Sequence, residues 1–279
     1  MSHLKLEIVS PGHADSELAR HLDFTFERLE ADGAVVRLPP SRAALDAPGS
    51  GRVDDRALIA TADHCMGVAV HAALADKGPL ATVDLKFEKF RPLEPGDVFL
   101  RVGRASIDSR LALVAASLDQ GVPERPVGQV SARFIVGAGP GGGAMPFPPP
   151  IPHEKRDDDV VDFASFAGLP VKAAPSLILA PLERTIGARA VPAFHGGVVA
   201  AGLMSSAGAL AASERGEAAV MANCSVDYLR AAHATRPIRY ASEIVSSGRT
   251  TLRIRTSAYQ DVDDRLVTQA LVLFGCGLS

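Results

Sequence analysis

Residues 195–212 read HGGVVAAGLMSSAGALAA, eighteen consecutive positions without Asp, Glu, Lys or Arg. That length and apolarity approach those of a membrane span, for which about 18–20 residues are needed. The richness in Gly, Ala and Ser and the HGG start instead suit a helix that is apolar nearly all round, buried in a protein and packed closely by sheet. Four β-rich segments follow, at residues 218–230, 238–246, 249–260 and 266–274. The order is one helix, then a meander.

The same order occurs earlier. Residues 54–75 carry Ala57, Leu58, Ala62, Cys65, Ala69 and Ala72 at three- and four-residue steps, the signature of a helix, with Asp54 or Asp55 as its cap. Residues 80–91, 98–108, 110–119 and 126–136 are β-rich and are separated by the turn signals EPGD, DSR and DQGVPE. TVDLKFEKFRP (82–92) aligns without a gap to MANCSVDYLRA (221–231), and Gln129 and Phe134 match Gln269 and Phe274. A repeat of this length is a duplicated domain rather than a solenoid unit.

Between the copies lies GAGPGGGAMPFPPPIPHEKRDDDVV (137–161), a Gly run, a Pro run and a charge run, which reads as a linker with a flexible and a stiff portion. The expected organisation is an N-terminal domain over 1–137, a linker over 138–161 and a C-terminal domain over 162–279. A long apolar helix followed by an antiparallel meander implies an α+β roll, a sheet curled around its helix. Two rolls in one chain imply a pseudo-twofold pair with the sheets joined edge to edge, which also covers strand edges.

Bulk properties narrow the function. A formal net charge of −3 without any basic run argues against a nucleic-acid partner. The three cysteines are far apart with no CxxC pair, so neither a disulfide framework nor a zinc site is indicated. The eight histidines show no HxxxH or HExxH spacing. The N-terminal stretch has charges throughout and lacks the apolar core of a signal peptide, so a cytoplasmic location is expected, without membrane attachment.

The chemistry-bearing string is FHGGVVAAGLM (194–204). Two glycines at a helix start admit a ligand close to the backbone, and the unpaired first-turn N–H groups, aided by the helix dipole, stabilise a developing negative charge. An oxyanion hole is one reading of HGG, and close packing of the helix start is the other. In the first copy, Asp63 stands inside a helix among Ala60, Ala62, Met66 and Val68, where an acid is costly to bury without purpose or partner.

These residues resemble the hotdog-fold thioesterase superfamily, in particular the phenylacetyl-CoA thioesterase type, whose helix opens with HGG and carries an acid nine positions after the His. The resemblance spans about residues 52–134 and 193–274 and implies a tandem double hotdog. In that family a Gly of HGG polarises the thioester carbonyl, and the acid of the partner subunit is general base or nucleophile, assisted by a strand Ser or Thr. The motif divides between the halves here. The second has His195, Gly196 and Gly197, but Met204 and Met221 fill the acid and hydroxyl positions. The first has Asp63 and Thr82, but Asp54, Asp55 and Arg56 replace HGG.

The losses are complementary, so one composite site is expected, with Asp63 and Thr82 facing Gly196 and Gly197, and one dead site filled by methionine packing. His195 is expected to orient the Gly loop. His64, next to Asp63, is expected on a different helix face. The Asn that the family places six residues before the His is Arg189 here, a candidate for the second oxyanion donor or for a CoA phosphate. Arg91 and Arg230 are further candidates for CoA contacts, as are Lys89 and Arg236. The expected activity is acyl-CoA thioester hydrolysis without a cofactor, CoA being part of the substrate, in a chain that can associate with copies of itself. The rivals are a non-catalytic acyl-CoA binding module, distinguished by the absence of thiol release, and a hotdog hydratase or dehydratase, which needs an Asp/His or His/Glu pair on the helix-start loop.

Overall fold

The computed structural model describes residues 17–74, 79–137, 160–169, 175–187, 193–216, 219–260 and 263–276. The first half comprises a short helix α1 (Glu17–Leu22), a hairpin of β1 (Thr25–Glu30) and β2 (Gly33–Leu38), and the long helix α2 (Asp55–Ala73). Strands β3 (Leu80–Lys89), β4 (Val98–Val102), β5 (Ser106–Asp108), β6 (Leu111–Asp119) and β7 (Gly128–Val136) complete it. The second half has α3 (Phe163–Ala167), β8 (Ser176–Leu179), the long helix α4 (Gly196–Arg215), β9 (Ala219–Tyr228), β10 (Ile238–Ser247), β11 (Thr251–Gln260) and β12 (Arg265–Cys276).

All strands belong to one sheet in the order β1-β2-β4-β6-β7-β3-β9-β12-β11-β10-β8, with β5 pairing on β6 beyond β4. Helix α2 touches β1, β2, β3, β4, β6 and β7, and α4 touches β8 to β12. Six strands spaced about 4.8 Å apart make a surface far wider than a helix, so the sheet must curl to reach it. This is the double hotdog. The helices also pack on each other, and α4, the one described helix apolar enough by length and composition to cross a membrane, is mostly buried here.

The halves meet edge to edge through the antiparallel pair β3–β9. The ungapped alignment that equates Thr82 with Met221 also equates Lys86 with Ser225, and Lys86 and Ser225 sit directly opposite each other in the ladder. The pseudo-twofold axis therefore crosses that pair, so equivalent residues lie at opposite ends of the two strands. Both strands also carry the same bulge, between Thr82 and Asp84 in β3 and opposite Leu273 and Phe274 in β9. A bulge re-aims the side chain beside it.

Several expectations are adjusted. The segment 98–108 is broken at Gly103, whose N–H bonds the Ala115 carbonyl at 2.9 Å, leaving β4 and β5 as successive partners of β6. The hairpin β1–β2, the short helices and β8 carry too little periodicity to stand out. The edge strand β1 is mostly exposed, so no apolar alternation marks it. Helix α3 packs back on the first half, where the Phe163 N–H reaches the Leu45 carbonyl at 3.4 Å. Residues 138–159 of the expected linker lie outside the described residues.

Candidate active site

The site forms where the start of α4 meets the middle of α2. Asp63, only 5% exposed, is flanked from both halves. Its Oδ1 accepts from the Thr82 hydroxyl at 2.8 Å and its Oδ2 accepts from the Gly197 N–H at 2.8 Å. Acceptance of two donors, one on each oxygen, suits an ionised carboxylate. Thr82 reaches inward from the bulged start of β3. A buried Asp within an apolar helix thus has partners that span the halves.

His195 caps α4, its Nδ1 accepting from the Gly197 N–H at 3.2 Å. That bond needs the neutral ring with its proton on Nε2, and burial pushes the His195 pKa down, against the opposing pull of the Asp63 charge. The Asp63 Oδ2 is 3.5 Å from Nδ1. His64 leaves α2 on a different face from Asp63, yet its ring stacks on that of His195, with centroids 5.6 Å apart.

The two glycines have different jobs. A Cβ on Gly197 would fall 2.5 Å from Ala60 Cα and 3.0 Å from the Ala60 carbonyl oxygen, so this glycine permits the contact of α4 with α2. A Cβ on Gly196 would fall 2.9 Å from Asp63 Oδ2 and 3.4 Å from Thr82 Oγ1, so this glycine keeps open the space in front of the carboxylate. Close packing thus accounts for Gly197, while Gly196 borders the space beside the carboxylate. Among the described residues the Gly196 N–H has no acceptor, and it is a first-turn donor beside the carboxylate. The Gly196 carbonyl accepts from the Tyr228 hydroxyl at 2.8 Å.

The pseudo-equivalent end is built otherwise. Arg56 forks onto the buried Asp54, with contacts from 2.6 to 3.1 Å, and extends Nη1 to Ser205 Oγ at 3.2 Å. Lys89 bonds Asp55 at 2.7 Å. Burial raises the Asp55 pKa, and Lys89 opposes that rise. Met204 and Met221 do pack on the core as expected. The Arg56 guanidinium also lies at this end, bonded to Ser205, the residue that follows Met204.

The CoA-contact candidates separate. Arg230 is exposed, two residues beyond Tyr228, at a cleft of about 230 Å³ lined by Ala231, His233, Gln260, Arg265 and Val267. Its Nη1 donates to the Leu266 carbonyl at 2.9 Å. Arg91 is at the other end of the seam, two residues beyond Lys89, and binds the Arg125 carbonyl. Arg189 lies outside the described residues. Tyr228 went unnoticed in the sequence; the available signal was its alignment with Lys89, an aromatic hydroxyl opposite an ammonium.

Residues 187–275 match the family model described as acyl-CoA thioesterase N-terminal domain, although the match falls in the second half of this chain. Among solved structures, one assigned as a thioesterase from Novosphingobium aromaticivorans aligns over 90% of this chain and 98% of its own, at 14% identity and a TM-score of 0.59. The tesB protein of Mycobacterium avium subs paratuberculosis aligns over 94% and 98%, at 13% identity and a TM-score of 0.56. Acyl-CoA thioesterase II TesB2 from Mycobacterium marinum aligns over 93% and 98%, at 16% identity and a TM-score of 0.52. No curated protein matches the chain in sequence. Residues 187–275 match an acyl-CoA thioesterase domain, and the likeness to these solved structures shows that the chain as a whole has the double-hotdog fold.

Proposed function

We propose that the chain hydrolyses an acyl-CoA thioester at a single composite site in which Asp63 and Thr82 come from the first half and His195, Gly196 and Gly197 from the second. The observation that carries this reading is the Asp63 carboxylate held between the Thr82 hydroxyl and the Gly197 N–H. The Gly196 N–H is the donor open to substrate, and it would polarise the thioester carbonyl as charge builds on its oxygen. The Gly197 N–H and the Thr82 hydroxyl hold the carboxylate in place.

Asp63 takes a proton from a water molecule whose oxygen attacks the carbonyl carbon. The tetrahedral intermediate collapses with cleavage of the C–S bond, and the thiolate of CoA recovers the proton, leaving the free acid and CoA. Direct attack by Asp63 would give the same products through a mixed anhydride. No cofactor enters either course. The cleft at Arg230, with Arg265, offers positive charge for the phosphates of CoA.

In the same reading the halves are copies of one domain that once paired with itself, each copy having discarded what the other retained. Either half alone would then be inactive. The direct test is Asp63→Asn, scored by thiol release from a panel of acyl-CoA thioesters. A fall in kcat/KM of about 10²–10⁴ with the fold retained is expected. Turnover equal to the parent protein would sink the proposal, and substrate binding without thiol release by the parent would favour a binding module.

A further inference from the structure

We infer that Tyr228 is a positioning residue for this site, setting the direction and donor strength of the Gly196–Gly197 peptide; the inference rests on the function just proposed. The peptide linking the two glycines carries the Gly196 carbonyl on one side and the Gly197 N–H on the other, in a plane that the amide bond keeps rigid. Tyr228 donates to that carbonyl at 2.8 Å, and the N–H donates to Asp63 Oδ2 at 2.8 Å. The result is a chain of hydrogen bonds from a strand hydroxyl, through one peptide, to the carboxylate. Bonds in such a chain polarise one another, by about 10–30% each.

Glycines are the residues least able to fix their own backbone. Tyr228 supplies that constraint from β9, where its ladder partner is Thr268. Burial, followed in weight by the nearby Asp63 charge, pushes the Tyr228 pKa well above its usual value. The hydroxyl therefore keeps its proton beyond the pH at which an exposed tyrosine ionises. At the pseudo-equivalent end the same strand position is Lys89, which bonds the Asp55 carboxylate at 2.7 Å, a side chain where the working end has a backbone carbonyl. An ammonium there ties down a side chain and leaves the peptide of that helix start without a strand hydroxyl to set it.

The test is Tyr228→Phe, which removes one oxygen and keeps the ring. The expected result is a fall in kcat of about tenfold, the worth of one hydrogen bond, with KM nearly unchanged and an upfield shift of the Gly197 amide ¹⁵N resonance. A role in packing alone would lower the unfolding midpoint and leave kcat per folded molecule and the Gly197 resonance where they were, and that outcome would overturn the inference. Should the Phe variant not fold, 3-fluorotyrosine in the intact chain keeps the contacts and makes the hydroxyl a stronger donor. The Gly197 resonance then moves downfield if Tyr228 acts through this peptide, and stays fixed if it does not. Loss of turnover in Asp63→Asn together with full turnover in Tyr228→Phe rejects only the positioning role; full turnover in both rejects the site itself.

Discussion

The two ends of the β3–β9 seam occupy equivalent places in the fold and have opposite chemistry. At one, α4 starts with two glycines, and the first-turn backbone faces a carboxylate fixed by Thr82. At the other, α2 starts with Asp54, Asp55 and Arg56; Arg56 pairs with Asp54 and reaches Ser205, and Lys89 pairs with Asp55. The same bulge aims Thr82 at the first end and Met221 at the second. The two helix starts thus share their backbone geometry and differ in side chains, glycines at one and charged residues at the other. At this second end the Arg56 guanidinium pairs with its own N-cap residue, Asp54.

The glycines offer the sharpest way to break this comparison. Gly196→Ala places a methyl 2.9 Å from the Asp63 oxygen, so kcat/KM should fall by about 10²–10³ with the unfolding midpoint little altered. Gly197→Ala meets the Ala60 backbone at 2.5 Å and should cost about 1–3 kcal/mol of stability by separating the helices. Denaturant unfolding alongside steady-state kinetics distinguishes the two patterns. If both substitutions behaved alike, the division of labour between the glycines would be wrong.

A substitution at the second end should show the reverse. Arg56→Met leaves the carboxylate of Asp54, 4% exposed, without its guanidinium. A loss of about 3 kcal/mol is expected by chemical denaturation, while thioester hydrolysis per folded molecule stays at the parental rate. A variant of ordinary stability but reduced turnover would mean that the second end takes part in catalysis.

The smallest expected effect is a pH dependence centred on His195. Burial lowers its pKa below the ordinary 6.5, so the unfolded chain binds a proton there before the folded chain does. The stability that this group contributes is complete above the unfolded value and declines as pH falls through it towards the folded value. Unfolding free energies at about pH 7.5 and 5.5 should therefore diverge more for the parent than for His195→Asn, which keeps a capping acceptor without titrating. Equal divergence would show that His195 does not titrate differently on folding.

Much of this was legible in residue order. β-rich composition between turn signals marks the seven strands of nine or more residues and the β4–β5 segment, and eighteen uncharged residues mark α4. The pairing of Asp63 with the glycines followed from complementary gaps in a motif resemblance. What escaped notice has physical reasons. The β1–β2 hairpin lies at the sheet edge with one strand mostly exposed, so hydrophobic pattern fails there. Tyr228 acts through a backbone carbonyl, and a contact to backbone leaves no partner residue type to recognise. Arg56 reads as an ordinary helix charge until the fold sets Ser205 beside it. Arg91 and Arg230 look equivalent in the alignment because they are equivalent, and only the twofold reveals that they lie at opposite ends.

The central claim is that only one end accepts substrate, and its most direct test is a crystal structure with a hydrolysis-resistant acyl-CoA analogue. The account predicts the carbonyl oxygen at the Gly196 N–H and its carbon beside Asp63, with one ligand per chain. A ligand seated instead between Arg56 and Met204, or one at each end, would contradict it.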